Sequence, residues 1–366
     1  MNADIIGRRL LLGAGALALT LPRAKADTPF SSFAFQATGT PTARTLPDRL
    51  AEIKNVKDFG ATGNGSTDDT AAIRAAVNYV TAPYSSARRG IIFFPTGVYN
   101  LSAPVTFETD TIHLHFLGAA GAQIIGNFAD ALLKRSPFSP IGGVHVIENL
   151  IFTNTHASGK GVMLHSCVTA GVRNCQFSGG AIGIETYNSQ CVTLDTCTFI
   201  GHTAIGVMAG NATTLLNCDV THCGEGVRHH NIGLVVLGGR FEMNTVAIML
   251  GRDQDGNTFQ SVGFDIRGLS MEANQTAIHV HAGGAGNISS TSASGGIDMA
   301  YGLNIEGIGY TCISGVSIGG RYSGAGIKVG SADRLVFMGV LCTNASGTAW
   351  SLPTNLSLIS FIQTPT

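Results

Sequence analysis

The stretch that decides the fold covers residues 55–77, N-V-K-D-F-G-A-T-G-N-G-S-T-D-D-T-A-A-I-R-A-A-V, and resumes at residues 90–99 with G-I-I-F-F-P-T-G-V-Y. Its pattern predicts a short strand, a Gly-Asn-Gly turn, a short amphipathic helix and a second strand that Pro95 and Gly97 close. The chain has no long apolar run, which argues against a membrane protein and for one elongated domain rich in short buried strands.

The paired carboxylates in this stretch invite an interpretation as catalytic acid and base. Asp68 and Asp69, however, directly precede the helix, where a carboxylate accepts backbone N–H groups. We therefore expect Asp68 to cap the helix. The helix places Ile73, Val77 and Val80 on one face, and we expect that face to cover the otherwise unpaired end of a sheet.

This segment resembles the beginning of the pectate-lyase-like right-handed β-helix superfamily, which includes rhamnogalacturonase- and polygalacturonase-like enzymes, mannuronan epimerases and phage tailspikes. The resemblance implies an all-β fold, a single-stranded right-handed parallel β-helix with a short N-terminal capping helix. It also implies an extended polysaccharide bound along the outside of the stacked strands. The segment itself caps the solenoid and implies no particular reaction.

An internal repeat supports the same fold. From residue 144 a loose unit of 21–25 residues recurs, most clearly as V-T-L-D-T-C-T-F at residues 192–199, and such a period is typical of solenoid coils. Asn149, Asn174 and Asn217 fill the bend of the unit, where asparagine tolerates a tight turn. Equivalent residues of successive coils should therefore lie about 4.8 Å apart.

All eight cysteines lie between residues 167 and 342. An even number in an exported protein suggests disulfides. Cys175, Cys197 and Cys218 share one inward position of the repeat, so we predict a buried stack of free thiols there. No C-x-x-C or H-E-x-x-H spacing indicates a metal site.

Composition and the N-terminus set the location and exclude several partners. Glycine provides 48 of 366 residues, charged residues only 12 %, and the net charge is −1, which gives no electrostatic case for nucleic acid or an anionic membrane. Arg8 and Arg9, an apolar run too short to span a bilayer and an A-x-A site at residues 24–26 resemble a twin-arginine export signal, with an ordinary secretory signal as the alternative. We predict a signal peptide over residues 1–26, an irregular lead-in over 27–50 and a β-helix domain over 51–366. The protein should be bacterial and periplasmic or extracellular.

The second strand of each coil carries the candidate site. Alternation predicts that Ile182 and Ile184 point inward and that Gly183 and Glu185 point outward. The corresponding outward positions of later coils, with the turns before them, supply Gly206, Met208, Glu225, Arg228, His230, Met249, Gly251, His279, His281 and Lys328. We predict that the catalytic residues are Glu225, Arg228, Glu185 and His230. Small residues at Gly206 and Gly251 should leave room for a sugar ring, and His202, His279 and Lys328 should contact substrate.

Two further groups extend the predicted substrate surface. Glu242 and Glu272 lie on another outward ladder and should be neighbours, at a separation compatible with two-carboxylate glycoside hydrolysis. The loop at residues 251–257 interrupts the repeat and should form a groove wall with Asp253 or Asp255. Its D-x-D-G-N partly matches a calcium loop but lacks the downstream glutamate, so we expect no cofactor, with Ca²⁺ as the alternative. The polar segment 282–296 should form a second wall.

The sequence motifs that are typical of polygalacturonases and of mannuronan epimerases are missing. By register the D-D pair of polygalacturonases would fall at His202–Thr203 and their G-H-G at residues 224–226, and neither is present; the D-P-H-E of mannuronan epimerases is also absent.

We expect an exported enzyme that cleaves a polysaccharide. In a hydrolase Glu225 would be the acid, paired with Glu185 or a loop aspartate; in a lyase Arg228 would neutralise a uronate and His230 would remove a proton. The alternative is a non-catalytic polysaccharide-binding protein or a tailspike-like surface protein, in which case a homotrimer is expected.

Overall fold

The computed structural model describes residues 34–36, 41–50, 52–81, 89–107, 113–135, 142–295, 299–354 and 359–362. The chain divides into two compact units, residues 1–52 and 53–366. In the first unit, strand β1 (Ala34–Gln36) pairs antiparallel with β2 (Ala43–Thr45), and helix α1 (Leu46–Leu50) follows. The lead-in is therefore not irregular throughout, while the predicted signal peptide lies outside the described residues.

The second unit consists almost entirely of short parallel strands. It also holds a 3₁₀ helix at Val56–Phe59 and helix α2 (Thr70–Thr81). In chain order its strands are β3 (Ile53–Asn55), β4 (Asn64–Asp68), β5 (Arg89–Phe94), β6 (Gly97–Leu101), β7 (Val105–Phe107), β8 (His113–Gly118), β9 (Ala122–Gly126), β10 (Ala131–Arg135), β11 (Gly142–Glu148), β12 (Ile151–Asn154), β13 (Lys160–Met163), β14 (Cys167–Arg173), β15 (Gln176–Ser178), β16 (Ile182–Glu185), β17 (Cys191–Asp195), β18 (Thr198–Ile200), β19 (Ile205–Ala209), β20 (Thr213–Leu216), β21 (Asp219–Thr221), β22 (Glu225–His229), β23 (Asn231–Ile232), β24 (Val235–Leu237), β25 (Arg240–Glu242), β26 (Val246–Leu250), β27 (Ser261–Val262), β28 (Phe264–Arg267), β29 (Ser270–Glu272), β30 (Thr276–Val280), β31 (Gly286–Ser289), β32 (Ser292–Ser294), β33 (Met299–Ile305), β34 (Ile308–Ser314), β35 (Ser317–Val329), β36 (Ala332–Met338), β37 (Leu341–Ser351) and β38 (Ile359–Ile362).

The strands form three walls. Wall 1 is a 13-stranded sheet that runs from β3 to β38. Wall 2 is the ladder that joins β6, β9, β12, β15, β18, β21, β25, β29 and β32, and wall 3 is the ladder that joins β7, β10, β13, β16, β19, β22, β26, β30 and β33. The long strands β35 and β37 continue both ladders. The predicted parallel β-helix is confirmed.

Inward side chains of successive coils stack on one another and make the core. On wall 2, Phe152, Phe177 and Phe199 are consecutive register partners. Their ring centroids lie 5.2 and 4.8 Å apart, and the rings are nearly parallel. Burying each such side chain contributes roughly 1.5–3 kcal/mol, so the column of rings is a main source of cohesion between coils.

The predicted thiol stack is also confirmed. Cys175, Cys197 and Cys218 are buried, and all eight cysteines are unpaired. Each of the three Sγ atoms lies within hydrogen-bond distance of a carbonyl oxygen of the preceding coil, those of Ile147, Val172 and Leu194 respectively. Burial raises the pKa of the Cys175 thiol to about 12, so this thiol stays protonated and behaves as a small apolar side chain.

The Asp68–Asp69 pair is structural, as predicted. Oδ1 of Asp68 accepts the Thr70 N–H at 3.0 Å, and its Oδ2 accepts the Ser102 hydroxyl at 2.6 Å. The hydrogen bonds from Ser102 and Thr70 lower the pKa of Asp68 to about 2. Asp69 instead accepts the N–H of Thr62 at 2.6 Å, which fixes the turn before the helix.

Helix α2 covers the N-terminal end of the solenoid through one apolar face. Ile73, Val77 and Val80 are buried, as predicted. A Cβ on Gly90 would lie 2.7 Å from Cγ1 of Val80, so β5 needs glycine where the helix lies against it. Within the described residues, no helix has the length and apolar character needed to cross a membrane.

The bend between walls 1 and 2 requires a left-handed backbone. Asn149, Asn174 and Asn217 occupy it with φ between 49° and 58°, as their position in the repeat predicts. Thr196 occupies the same bend with φ 53°. A β-branched residue is strained in this conformation, which asparagine tolerates.

Replacing Thr196 by asparagine should therefore raise the free energy of unfolding by about 1 kcal/mol, because it removes backbone strain of that order. The measurement is the urea midpoint, with no change in the slope of the transition. Asn217→Thr is the matched reverse change and should lower stability by a similar amount. A destabilised T196N variant would show that the bend is not under strain.

Candidate functional site

The outward surface of wall 3 differs from the predicted alternation. One outward row, here called the outer row, consists of the register partners Met163, Glu185, Met208, Arg228, Met249, His279, Asn304 and Lys328. Gly183 and Gly206 face the interior, because a Cβ on them would lie 2.8 Å from Phe199 and 3.2 Å from Val220. A Cβ on Gly251 would meet the Ala282 backbone at 2.2 Å. Gly206 and Gly251 therefore allow close packing and leave no room for a sugar ring, which corrects the prediction.

Glu225 and Arg228 form a bidentate ion pair on this surface. The Arg228 Nε and Nη2 atoms donate to the two carboxylate oxygens of Glu225 at 2.6 and 2.7 Å, and both side chains are only 16 % exposed. The residues between them, Gly226 and Val227, both face the core, so the strand does not alternate strictly here. Nη1 of Arg228 also donates to the Asp253 carbonyl at 3.2 Å. The structure thus brings two of the predicted catalytic residues together, but each is the ion-pair partner of the other.

Glu185 lies on the outer row but is buried. Its carboxylate accepts hydrogen bonds from the Lys160 ammonium at 2.5 Å and from Nε2 of His165 at 2.9 Å. Burial opposes ionisation of Glu185, but the His165 hydrogen bond and the Lys160 charge outweigh it and lower its pKa to about 2. Met208 separates Glu185 from Arg228 on the row, so Glu185 does not form a pair with Glu225 across a substrate.

A cavity of about 120 Å³, here called cavity 1, opens beside the outer row. The residues that line it are Tyr187, Asn188, Gly210, Asn211, His230, Asn231, Asp253, Gln254 and Phe259. Tyr187 and Phe259 are 41 % and 49 % exposed and stand on either side of His230, with ring centroids 6.2 and 5.7 Å from its imidazole. Aromatic rings beside several amides are suited to binding the apolar faces and hydroxyls of a sugar.

His230 is the predicted catalytic residue that reaches this cavity. It is 4 % exposed, and its buried Nδ1 has no hydrogen-bond partner among the described residues. Burial lowers the pKa of His230 below its usual 6.5 and nearby Arg228 lowers it further, while the Asp253 carboxylate opposes the shift. His230 is therefore neutral at pH 7, and Nε2 is the nitrogen that can meet a ligand.

The loop that interrupts the repeat forms one side of cavity 1. Asp253 lines the cavity, and its carboxylate accepts the N–H groups of Asp255 and Asn257 at 3.0 and 2.8 Å. The hydrogen bonds from Asn257 hold the pKa of Asp253 below its usual range. Asp255 is exposed and does not line the cavity. That this loop holds no cofactor stays a prediction, with Ca²⁺ binding as the alternative.

Three of the predicted substrate-binding residues lie elsewhere. His202 is 1 % exposed and faces the core, where its Nδ1 donates to the Gly179 carbonyl at 2.6 Å, so its predicted role is wrong. The turn before β19 directs the imidazole between coils. Glu242 and Glu272 are register partners, as expected, but they lie on wall 2, and Arg240 binds Glu242 at 3.2 Å. Neither glutamate can therefore complete a pair with Glu225 on wall 3.

The segment predicted as a second wall is mostly part of the solenoid. Residues 286–289 and 292–294 form strands β31 and β32 of walls 1 and 2. Gly283 and Gly284, just before β31, line a second cavity of about 450 Å³, here called cavity 2, together with His281 and Tyr310. The glycine- and serine-rich composition reflects narrow coil packing, which a sequence pattern cannot separate from loop composition.

The last two predicted binding residues lie further along the outer row. The Lys328 ammonium lies 5.1 Å from the Tyr301 ring centroid. His279 lies 2.9 Å from the carboxylate of Glu306, which also approaches His281 at 2.5 Å. The sequence analysis did not single out Glu306. It follows His281 by one coil, so strict use of the repeat register would have found it.

Sequence reasoning also missed the cavity aromatics. Tyr187 and Phe259 belong to no motif, and Phe259 comes near in space only because the inserted loop folds back on wall 3. Tyr187 carried a usable signal, since it is the second residue after Glu185 and so faces the same side.

Comparisons with known proteins agree with the architecture. A family model described as "Rhamnogalacturonase A/epimerase, pectate lyase-like" matches residues 53–147, and one described as "Right handed beta helix region" matches residues 140–261. The chain is 52 % identical over 80 residues to mannuronan C5-epimerase AlgE2 of Azotobacter vinelandii, covering 21 % of this chain and 8 % of that protein. It is 42 % identical over 108 residues to a probable glucan endo-1,3-beta-glucosidase of Arthroderma benhamiae, covering 28 % and 11 %.

Solved structures extend the similarity over most of the chain. The full-length tailspike protein 2 from an Escherichia coli O157:H7 bacteriophage aligns with a TM-score of 0.59 and 13 % identity, covering 89 % of this chain and 49 % of that one. At this identity the likeness shows the fold alone. The sequence matches span only 2 % to 18 % of the curated relatives' own lengths.

Buried histidines such as His202 should make the stability depend on pH. Burial lowers the pKa of His202 and His145 to about 4 and of His229 to about 3, from 6.5. Below pH 6.5 the unfolded chain binds protons that the folded chain excludes. The free energy of unfolding should therefore fall between about pH 6.5 and pH 4, by up to about 1.4 kcal/mol per pH unit for each histidine.

Urea unfolding across this pH range measures the slope. His202→Gln should make the dependence on pH shallower, by up to about 1.4 kcal/mol per pH unit, since one of the histidines whose pKa burial lowers is removed. His222→Asn changes an exposed histidine and serves as the control, with the slope unchanged. An H202Q slope equal to that of the unmodified protein would mean that His202 is protonated in the folded state.

Proposed function

Because this chain belongs to the pectate-lyase-like right-handed β-helix superfamily, we propose that it is a carbohydrate-active protein that binds a polysaccharide along wall 3 and cleaves it by β-elimination. The observation that carries the proposal is cavity 1, where Tyr187 and Phe259 flank a neutral His230. The relatives named as an epimerase and a glucosidase support a carbohydrate ligand.

The carboxylates of Glu225 and Glu185 are both held in ion pairs, and this favours elimination over hydrolysis. Two-carboxylate hydrolysis needs one group that donates a proton and a second, about 5–9 Å away, that attacks or activates water. Glu225 instead accepts two N–H groups from Arg228, and Glu185 is held by Lys160 and His165. Each is an acceptor in an ion pair and neither is free to protonate a glycosidic oxygen.

His230 can serve as the base in an elimination. Nε2 accepts the C5 proton of a uronate residue, the C–H electron pair forms the C4–C5 double bond, and the C4–O bond to the leaving sugar breaks. The leaving oxygen takes a proton from water. The imidazolium formed at His230 is stabilised by the negative charge of Asp253, whose electrostatic influence already reaches this ring.

His230 also supports the alternative function, a protein that binds polysaccharide without cleaving it. For Nε2 to act as a base, Nδ1 must carry the neutral ring's proton, yet buried Nδ1 has no acceptor among the described residues. The other tautomer would make Nε2 a hydrogen-bond donor to a sugar hydroxyl. A non-catalytic polysaccharide-binding protein, tailspike-like or not, would use cavity 1 in that way.

Binding should depend on the two exposed rings of cavity 1. Tyr187→Ala and Phe259→Ala should each weaken polysaccharide affinity about 5- to 10-fold, since a stacked ring contributes roughly 1 kcal/mol beyond its area. Affinity electrophoresis against acidic and neutral polysaccharides gives the ratio. Tyr79→Ala removes a similarly exposed tyrosine of helix α2 and should leave binding unchanged. Equal affinity of the Tyr187 variant and the unmodified protein would remove cavity 1 as the binding site.

Product analysis separates the reactions. Incubation with polysaccharides that contain uronates should give new reducing ends together with the ultraviolet absorbance of unsaturated products. His230→Asn should abolish both signals and retain binding, whereas His222→Asn should retain both. Because the base must be neutral and its pKa is lowered, the acid limb of kcat/KM should lie below pH 6.5. Reducing ends without absorbance would mean hydrolysis, and binding without either signal would establish the non-catalytic alternative.

A further inference from the structure

Three potential metal ligands meet at the edge of cavity 2. One ligand atom from each of His279, His281 and Glu306 lies within 4.8 Å of the others. Nε2 of His279 lies 2.9 Å from one carboxylate oxygen of Glu306, and Nδ1 of His281 lies 2.5 Å from the other. This cluster is separate from cavity 1, which none of the three residues lines.

The coil register brings the three residues together. His279 belongs to β30 and His281 follows its end, so their side chains lie on the same side of the chain. Val280 is the register partner of Ile305, which places Glu306 beside His281 one coil further on. Strand pairing thus fixes the backbone positions of all three, independently of any ion.

Hydrogen bonding alone does not account for the cluster. Nε2 of His279 is buried and makes no aligned hydrogen bond, although Glu306 is only 2.9 Å away. A buried ring nitrogen that is poorly aligned with the acceptor beside it loses part of the energy of a hydrogen bond. A cation between the imidazoles and the carboxylate would engage this nitrogen directly.

We propose that His279, His281 and Glu306 bind a divalent transition-metal ion of the Zn²⁺ type. Two imidazoles and one carboxylate form a donor set that Zn²⁺ accepts, with a fourth position left for water or a ligand oxygen. His281 and Gly307 line cavity 2, so that fourth position is reached from a cavity of about 450 Å³. Ligand atoms about 2.0–2.2 Å from one ion lie roughly 3.4 Å apart. Binding therefore requires the two histidine–glutamate contacts, now 2.9 and 2.5 Å, to lengthen as the ion enters between them.

Thr258 and Arg252 lie next to the three ligands and affect the site in opposite ways. The other ring nitrogen of His281, Nε2, lies 2.8 Å from the Thr258 hydroxyl. This contact fixes the orientation of the ring, as a hydrogen bond to the second nitrogen of a metal-bound histidine generally does. Arg252 lies close enough for its charge to act on His279. Its repulsion predicts weaker binding than in a closed four-ligand zinc site.

The test is a Zn²⁺ titration of the full chain against a chromophoric chelator, after removal of metal with EDTA and without polysaccharide. We expect one equivalent to bind, and Co²⁺ to give the visible absorption of a site with nitrogen ligands. Thr258→Val removes a residue that only hydrogen-bonds a ligand and should weaken Zn²⁺ binding by about 10- to 100-fold. Glu306→Gln and His279→Gln remove ligands themselves, so each should weaken Zn²⁺ binding by more than about 100-fold. Excess Ca²⁺ should not compete, since it prefers oxygen ligands.

His115 provides the matched control. It lies 3.2 Å from the Glu148 carboxylate on wall 1 and forms a histidine–glutamate pair. His115→Gln should leave Zn²⁺ affinity unchanged. Circular dichroism and unfolding without metal show whether each variant is folded. No stoichiometric binding by the unmodified protein, or equal affinity in folded E306Q and H279Q variants, would overturn the proposal and leave Glu306 as an ion-pair partner of two histidines.

Discussion

The structure depends on the register between coils. Parallel strands place each residue over its counterpart in the coils before and after, and the buried columns form only while that register holds. The stacked rings of Phe152, Phe177 and Phe199 and the column of thiols are direct consequences. Because a shift of one residue would turn core side chains outward, every insertion must leave the ladder as a loop. The segment after Gly251 does so, and Met249 still pairs with His279 beyond it.

Cavity 1 lies where the chain departs from the repeat, whereas the cluster of His279, His281 and Glu306 follows the regular coil register. Cavity 1 exists because the inserted loop brings Asp253 and Phe259 against wall 3. Gly210 also lines it, but its missing side chain serves close packing of the coils, since a Cβ there would lie 2.3 Å from the Thr186 carbonyl oxygen. The loop is tied to the wall by the bond from Arg228 to the Asp253 carbonyl. The solenoid thus provides a rigid frame, and at cavity 1 an inserted loop adds the residues that make a site on it.

Charge is scarce in this chain, and much of it is committed to structure. Glu225 pairs with Arg228, and Glu185 pairs with Lys160 and His165, on a surface that is largely buried. Removing one partner of such a pair leaves an uncompensated charge with little solvent, so these groups are costly to disturb. Other titratable groups face the cavities: His230, Asp253 and Tyr187 at cavity 1, and His281, Asp333 and Tyr310 at cavity 2.

The sequence by itself determined the fold, because the glycine-turn-helix segment, the recurring coil and the asparagine bends are local patterns with local physical causes. It also identified the capping role of Asp68, the thiol stack and several residues that do reach the candidate sites, His230, Asp253 and His279 among them. Only the tertiary structure decided which polar residues are available. Gly183 and His202 face inward because the strand does not alternate strictly at the corner. Phe259 joins cavity 1 because the inserted loop folds onto wall 3. Those contacts depend on side-chain direction and long-range packing, which a periodic pattern does not specify.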